Sequence, residues 1–562
     1  MSTIVEKRPE GTIYKSPTRV RIPEVDVLTF LFDSPEPDTK DDDVVHADAE
    51  TPSRSITKSR QRTLLRQVAH TFREGYGIGA DGPEKDVVTL LALGHYTVPT
   101  IMYATVAAGG IFSALSPAST PGEVASQLNI MESKLLVCTP QLNPVAVAAA
   151  KIAGLSPDRV LVLGDGDGIV LNEAASAKAV HVSDQELDWT RIRDKQQLES
   201  SVICVLFSSG TTGMPKGVNL SHTSLVAAAV LSNHYTRTHW RRVDPARAKK
   251  HCTLAHLPVA HVAGVQGYFV SPTYIGSTVY WMQRFDFTKF LQLNKKLQIT
   301  SFFSVPPIYL LIAKSDAVTD QFASLDHAIS GAAPLGKETQ AEAMRKLGKD
   351  ESVVLAQTWG LSETAGCFTL LPRGVRDDTG SIGPLIPECE ARIVDEEGHD
   401  VEPGQPGEMW VRGPVVFKSY YKNDKATKEC FVDGWLVTGD ILEFRDGLFH
   451  CVDRKKELIK YKATQVAPAE LEALLLSNAK ILDAAVIGVQ GQGTELPRAY
   501  VVADQGKISG QEIVDWVASK VSDHKRLRGG VVFIEAIPKS PSGKILRKLL
   551  RDAVQREDKA KI

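Results

Sequence analysis

Short apolar runs at 134–138, 160–163 and 202–207 alternate with helix-length segments such as 224–231 and 288–297. That alternation, between about 60 and 300, predicts α/β layers with largely parallel sheets. Between about 380 and 452 the pattern changes to short strands with tight turns, at 391–394, 408–412 and, after the Asp446-Gly447 turn, 449–452. A small β-rich subdomain is predicted there. Beyond Asp453-Arg454-Lys455-Lys456 come an amphipathic helix at 467–475, strands at 484–489 and 498–502, and a helix at 513–521, the order of a separate α+β unit. The chain therefore divides into a large α/β domain at 61–452 and a smaller unit at 453–562. Residues 1–60 carry a Pro-rich acidic patch (34–43) followed by a basic one (53–62), and are expected to be loosely ordered surface.

At 562 residues the chain exceeds a single small module, and 43% hydrophobic with 23% charged residues is ordinary globular composition. Lys plus Arg number 65 against 67 Asp plus Glu, so the broad positive field that non-specific nucleic-acid binding needs is missing. The last 60 residues hold 13 basic and 8 acidic residues, an excess suited to small phosphates rather than a duplex. The seven cysteines are scattered without a C-x-x-C pair, which indicates neither a zinc site nor a disulfide framework. No secretory signal is expected at the N-terminus. Residues 96–122 are free of charge but contain Pro99, Gly109, Gly110, Pro117 and Pro121, so a buried helix plus loop is expected rather than a membrane span.

The sharpest chemical signal is Phe207-Ser-Ser-Gly-Thr-Thr-Gly-Met-Pro-Lys-Gly217, directly after an apolar run. Glycines let backbone N–H groups approach an anion, hydroxyls add donors and Lys216 adds charge, which together make a polyphosphate cradle. A Walker A loop needs G-x-x-x-x-G-K-[ST], and this segment does not match it.

In this loop and in six further motifs, in order, the chain resembles the adenylate-forming enzymes, which include acyl-CoA synthetases, 4-coumarate:CoA ligases and firefly luciferase. The motifs are Leu257-Pro-Val-Ala-His261, Ser330-Gly-Ala-Ala-Pro-Leu-Gly336, Gln357-Thr-Trp-Gly-Leu-Ser-Glu363, Gly434-Trp-Leu-Val-Thr-Gly-Asp440, Asp453-Arg-Lys-Lys-Glu-Leu-Ile-Lys460 and Pro538-Lys-Ser-Pro-Ser-Gly-Lys544. Gln465-Val-Ala-Pro-Ala-Glu-Leu-Glu472 points to the coumarate-ligase and luciferase branch. The resemblance implies ATP, Mg²⁺ and CoA as cofactors, and makes the last unit a small mobile C-terminal domain pivoting at Asp453.

By that resemblance Ser208, Ser209, Gly210, Thr211, Thr212, Gly213 and Lys216 hold the phosphates. Thr211 and Glu363 are the metal ligands, with Ser362 a phosphate donor. Taken alone, Glu363 reads as a solvated loop acid; within this series of motifs that reading reverses, because a carboxylate beside a triphosphate calls for a bridging cation. Gly331, Ala332, Ala333 and Pro334 form a small-residue loop on which a purine could lie, with Gln357, Trp359 and Gly360 beside it and Trp359 able to stack. Asp440 suits two ribose hydroxyls, being acceptor-only; a plain turn aspartate is the bland alternative. Arg454, Lys456, Lys460 and Lys462 form a charge run that in isolation is a solvated face. In family order Arg454 contacts ribose and phosphate, Lys460 and Gln465 serve catalysis, and Lys462 and Ala463 line the CoA route. Lys544 matches the lysine used for adenylation, and His261 the mouth of the acyl pocket.

The implied reaction activates an apolar acyl or aryl acid as acyl-AMP and passes it to CoA. Ala263 and Gly267 stand where hydroxycinnamate-specific relatives carry larger groups, so a wide apolar pocket is expected. Tyr461-Lys462-Ala463 replaces the usual Tyr-Lys-Gly, which implies slowed or redirected CoA turnover. Gln357-Thr-Trp-Gly replaces the commoner Gln-Gly-Tyr-Gly, implying altered purine contacts. The final Ala560-Lys561-Ile562 is similar to a peroxisomal import signal, which implies an import receptor as partner, the cytoplasm being the alternative location. The competing functions are transfer to a carrier-protein thiol, luciferase-like oxidation, and nucleotide binding without catalysis.

Overall fold

The computed structural model describes residues 3–164, 166, 168–208, 215–245, 251–348, 353–462, 464–491, 493–540 and 543–560. At the centre of an eight-stranded sheet, Val160–Gly164, Ser133–Cys138, Val87–Leu91, Ile111–Leu115 and Cys204–Ser208 lie side by side and parallel, with antiparallel strands at both edges. Val87–Leu91 and Ile111–Leu115 are buried along their whole length, as strands covered on both faces must be. The uncharged run at 96–122 supplies one of these strands and the almost wholly buried helix Val98–Ala107. Among the described residues no helix is long and apolar enough to cross a membrane.

Two four-stranded sheets complete the α/β part. One joins His251–Ala255, Ser277–Trp281, Val44–Asp48 and Ser55–Thr57; the other joins Ser301–Ser304, His327–Ser330, Val354–Leu361 and Gly366–Leu370.

The expectation of a loosely ordered N-terminal surface is corrected. Ile4–Arg8 and Gly11–Lys15 form a hairpin that extends the β-rich sheet, and Val44–Asp48 pairs with Ser277–Trp281. Phe30, Leu31 and Phe32 are buried in the main core. Apolar residues before the acidic patch, and Val44–Asp48 between the two patches, dock the segment, and local composition does not report such long-range packing.

The β-rich sheet is antiparallel and includes Glu390–Val394, Gly407–Arg412, Trp435–Arg445 and Leu448–Arg454. Asp446 and Gly447, at φ 54° and 82°, make the tight turn between its last two strands, a conformation that suits a two-residue hairpin. The turn sets the register from Arg445 opposite Leu448 to Leu442 opposite Cys451, and a one-residue shift between Leu442 and Ile441 then places Asp440 opposite Arg454.

The C-terminal unit has its own core. Ile481–Gln490, Glu495–Ala503 and Val531–Phe533 form a three-stranded sheet. Leu471, Val486, Val501 and Ile513 pack on one face, and Ile487, Tyr500, Ile537 and Leu550 on the other. Leu471, on the inner face of the helix Pro468–Leu476, is fully buried. Leu471→Ala should destabilise this unit by about 2–5 kcal/mol, the cost of a buried leucine cavity. Urea unfolding followed by proteolysis should show the C-terminal transition moving to lower denaturant, with the large domain's transition in place.

Candidate functional site

Cys204–Ser208 and Lys216–Leu220 are antiparallel neighbours, and Ser208 stands opposite Lys216 at the open end of the pair. The expected cradle residues Ser209, Gly210, Thr211, Thr212 and Gly213 lie outside the described residues. Behind Lys216 runs the segment 417–421. The Tyr421 N–H donates to the Gly217 carbonyl at 2.7 Å, and the Asn219 N–H to the Ser419 carbonyl at 3.2 Å. A Cβ on Gly217 would lie 2.8 Å from Val205 Cγ1 and 3.1 Å from Tyr421 Cβ, so glycine permits this close approach. The result brings Lys216 Nζ to 4.9 Å from the centre of the Tyr420 ring.

Tyr420 also reaches the acidic turn, its hydroxyl donating to Glu363 Oε1 at 2.8 Å. That turn follows Val354–Leu361, a strand that carries Gln357, Trp359 and Gly360. A Cβ at Gly360 would strike the Gly366 carbonyl, so only glycine lets the neighbouring strand approach. The short turn Ser362–Thr364 is tied by the Leu361 N–H donating to the Thr364 hydroxyl at 2.8 Å, which leaves Ser362 and Glu363 half-buried at the strand end. Sequence reasoning missed Tyr420: it stands in no glycine-rich or charged motif, and only the pairing of 417–421 with the phosphate-loop strand brings it between Lys216 and Glu363.

Two neighbours on this strand depart from expectation. Gln357 is buried behind the small-residue loop: its Oε1 accepts from the Leu335 N–H at 2.9 Å, and its Nε2 donates to the Leu335 carbonyl at 2.9 Å. It braces that loop and does not line a purine surface. Trp359 is also buried, edge-on to Phe368, with its indole N–H donated to Asp440 Oδ2 at 2.8 Å. Little of its face is open for stacking; it acts on the site through Asp440. The loop itself follows His327–Ser330, with Gly331 N–H donating to the Ser304 carbonyl at 3.1 Å. Ala332 at φ 71° and Pro334 are exposed on it, with Ala333 between them.

Asp440 is buried, and its Oδ1 lies 3.1 Å from Arg454 Nε. Lys544 joins this group from the C-terminal unit. Its turn is closed by the Gly543 N–H donating to the Ser540 carbonyl and the Ser540 N–H to the Lys544 carbonyl, both at 2.8 Å. Gly543 has φ 78°, and a Cβ there would come within 3.1 Å of Val305 and Pro307, so the turn tucks tightly against the large domain. Burial pushes the Lys544 ammonium down to about 8; the Arg454 charge adds to that push, and Asp440 and Glu363 oppose it. His261 is pushed down to about 4, first by burial and then by the Lys544 charge, so it is neutral near pH 7.

Other expected residues lie elsewhere. Lys460 and Gln465 face each other across the hairpin Ile459–Tyr461/Thr464–Val466, and both are exposed, with Gln465 Nε2 donating to Glu396 Oε1 at 3.0 Å. Lys456 and Lys462 are exposed too, and Ala463 lies outside the described residues. The structure thus joins Lys216, Glu363, Asp440, Arg454, Lys544 and His261, and leaves the 460–465 hairpin apart from them. Asp453, the expected pivot, is buried; its carboxylate accepts from the Arg454 and Ala469 N–H groups at 2.7 and 2.8 Å.

The wide pocket expected from Gly267 is corrected as well. The ring of Phe303 occupies the space a side chain at 267 would take, with Cζ 2.6 Å from the Cβ position, and lies 4.7 Å from the Tyr268 ring. Ala263 is exposed. A small residue leaves room only if no neighbour fills it.

A family model described as AMP-binding enzyme matches residues 37–421, and one described as AMP-binding enzyme C-terminal domain matches 470–544. A protein of Emericella nidulans provisionally named an acyl-coenzyme A synthetase is 44% identical over 94% of this chain and 96% of its own length. A phenylacetyl-CoA ligase of Aspergillus niger is 34% identical over 95% and 97%. The crystal structure of ATP-bound MatB from Rhodopseudomonas palustris superposes with a TM-score of 0.78 at 26% identity, covering 94% of this chain and 98% of that one.

The electrostatics of Lys544 are testable without any substrate. Modification of its amine by trinitrobenzenesulfonate, followed by peptide mass spectrometry, should rise with pH around a midpoint near 8 rather than the ordinary 10.5. Asp440→Asn removes a charge that favours the ammonium and should shift the midpoint lower still.

Proposed function

We propose that this chain, which belongs to the AMP-binding enzyme family, is an AMP-forming acid:CoA ligase acting on an apolar acyl or aryl acid. The carrying observation is that Lys544, from the far end of the C-terminal unit, lies within electrostatic reach of Asp440 and Glu363 of the large domain and of Arg454 at the junction of the two. A carboxylate oxygen of the acid attacks the α-phosphorus of ATP, and the bond to pyrophosphate breaks. Lys544 and Lys216 stabilise charge building on the phosphates, while Asp440 takes the ribose hydroxyls and Arg454 the adjoining phosphate. No protein nucleophile is needed.

Among the described residues Glu363 makes one side-chain hydrogen bond, with Tyr420 through Oε1, which leaves Oε2 as a hard oxygen donor. A single carboxylate plus phosphate oxygens is the donor set Mg²⁺ favours. When bound, Mg²⁺ supplies neutralisation of the triphosphate charge.

In the second half the CoA thiol attacks the acyl carbon, the C–O bond to AMP breaks and the thiol proton leaves to solvent. Before this attack the C-terminal unit turns about Asp453, withdrawing Lys544 and bringing in the 460–465 hairpin. The placement of Lys544 inside and Lys460 with Gln465 outside supports this division of labour. Neutral His261 stands at the mouth of the acyl pocket, and Phe303 against Gly267 closes part of its depth. The Ala560-Lys561-Ile562 tail directs the protein to peroxisomes through an import receptor.

A screen of carboxylic acids with ATP, with and without CoA, tests the reading: AMP release should require CoA, and acids that support pyrophosphate exchange should be apolar. AMP release without CoA would overturn ligation to CoA. Lys544→Ala should slow pyrophosphate exchange by about 10²–10³ while leaving capture of synthetic acyl-AMP by CoA within a few-fold, and Lys460→Ala should do the converse. Phe303→Ala should move the preference toward longer acids. A fluorescent reporter ending in Ala-Lys-Ile should become punctate with a peroxisomal marker; a diffuse signal would place the protein in the cytoplasm.

A further inference from the structure

We infer that Tyr420 is the positioning residue that couples the phosphate-loop lysine to the acidic turn, so that cation and nucleotide are recognised together. Its hydroxyl donates to Glu363 Oε1 at 2.8 Å, and its ring carries Lys216 Nζ at 4.9 Å from the centroid. A single, nearly buried side chain therefore holds one partner of each sign, through two different parts of itself. The hydroxyl fixes which oxygen of Glu363 remains for a cation, and the ring face steadies an ammonium without neutralising it, which a carboxylate would do.

The backbone over-determines this placement. Tyr420 forms an antiparallel bridge with Val218, its own N–H donates to the Thr427 hydroxyl at 2.9 Å, and the Phe417 N–H donates to the Glu363 carbonyl at 2.8 Å. Phe417 packs edge-on against the Tyr420 ring at 4.8 Å. The segment is thus pinned to both elements it joins, and Tyr420 does not need to touch substrate to set the separation between Lys216 and Glu363.

This inference rests on the assignment of ATP and Mg²⁺ to the site, and the test separates the two. Isothermal titration with a non-hydrolysable ATP analogue, in Mg²⁺ or in EDTA, gives the factor by which Mg²⁺ tightens nucleotide binding. Wild type that binds no analogue overturns the assignment, and the coupling with it. Given wild-type binding, Tyr420→Phe keeps the ring and loses the hydroxyl: the Mg²⁺ factor should shrink by about 10-fold with the EDTA affinity unchanged. Tyr420→Leu should in addition weaken binding in EDTA by about 3- to 10-fold, as Lys216 loses its ring. Tyr420→Phe added to Glu363→Gln should cost nothing further. A Tyr420→Phe protein that retains the wild-type Mg²⁺ factor, or losses that simply add in the double variant, would overturn the coupling. Tyr420→Phe decides the matter alone should Tyr420→Leu fail to fold.

Discussion

A lysine ammonium crowded by protein needs carboxylates within reach, and Lys544 finds them only across the seam between the two lobes. Burial and Arg454 press its proton off, while Asp440 and Glu363 hold it on. That balance leaves the amine mostly charged near pH 7 yet far less strongly so than a lysine in water. A triphosphate arriving in the site adds negative charge on the side that favours the ammonium, so the group is placed to respond to its ligand. The seam has to close tightly for this to work. Gly543 against Val305 and Pro307, and Gly336, whose missing side chain leaves room for Ala473, keep the lobes at backbone distance.

The proposed hinge residue, Asp453, is held by charge and backbone together. Asp453 is buried, and burial raises its pKa; two backbone N–H groups and the charge of Arg547 pull the other way. Arg547 in turn grips Glu472 with bonds of 2.7 and 2.9 Å, and it stands three residues beyond Lys544. Asp453, the helix that begins at Pro468 and the segment that carries Lys544 are therefore one electrostatic unit. A buried charge cluster of this kind is weak as a source of stability but specific in geometry.

Within the large domain the site is a chain of contacts between elements that are remote in sequence. Trp359 tethers Asp440, Asp440 meets Arg454, and Tyr420 joins Glu363 to Lys216. Each polar group so held gives up orientational freedom before any ligand arrives, which is what preorganised electrostatic stabilisation requires.

Much of this was legible in the chain. The alternation of apolar runs and helix-length segments determined the α/β layers, the Asp446-Gly447 turn marked a hairpin of the β-rich sheet, and the ordered motifs carried the charged residues Lys216, Glu363, Asp440, Arg454 and Lys544 that the fold gathers. Those features are local: each is written in the period or turn chemistry of neighbouring residues. Tertiary structure alone decided that residues before 60 belong to the sheets and core, that Gln357 braces a loop from behind, that Phe303 fills the room left at Gly267, and that Tyr420 stands between two charges. These depend on which distant surfaces meet, and close packing lets a neighbour consume or create the space that a single position seems to offer.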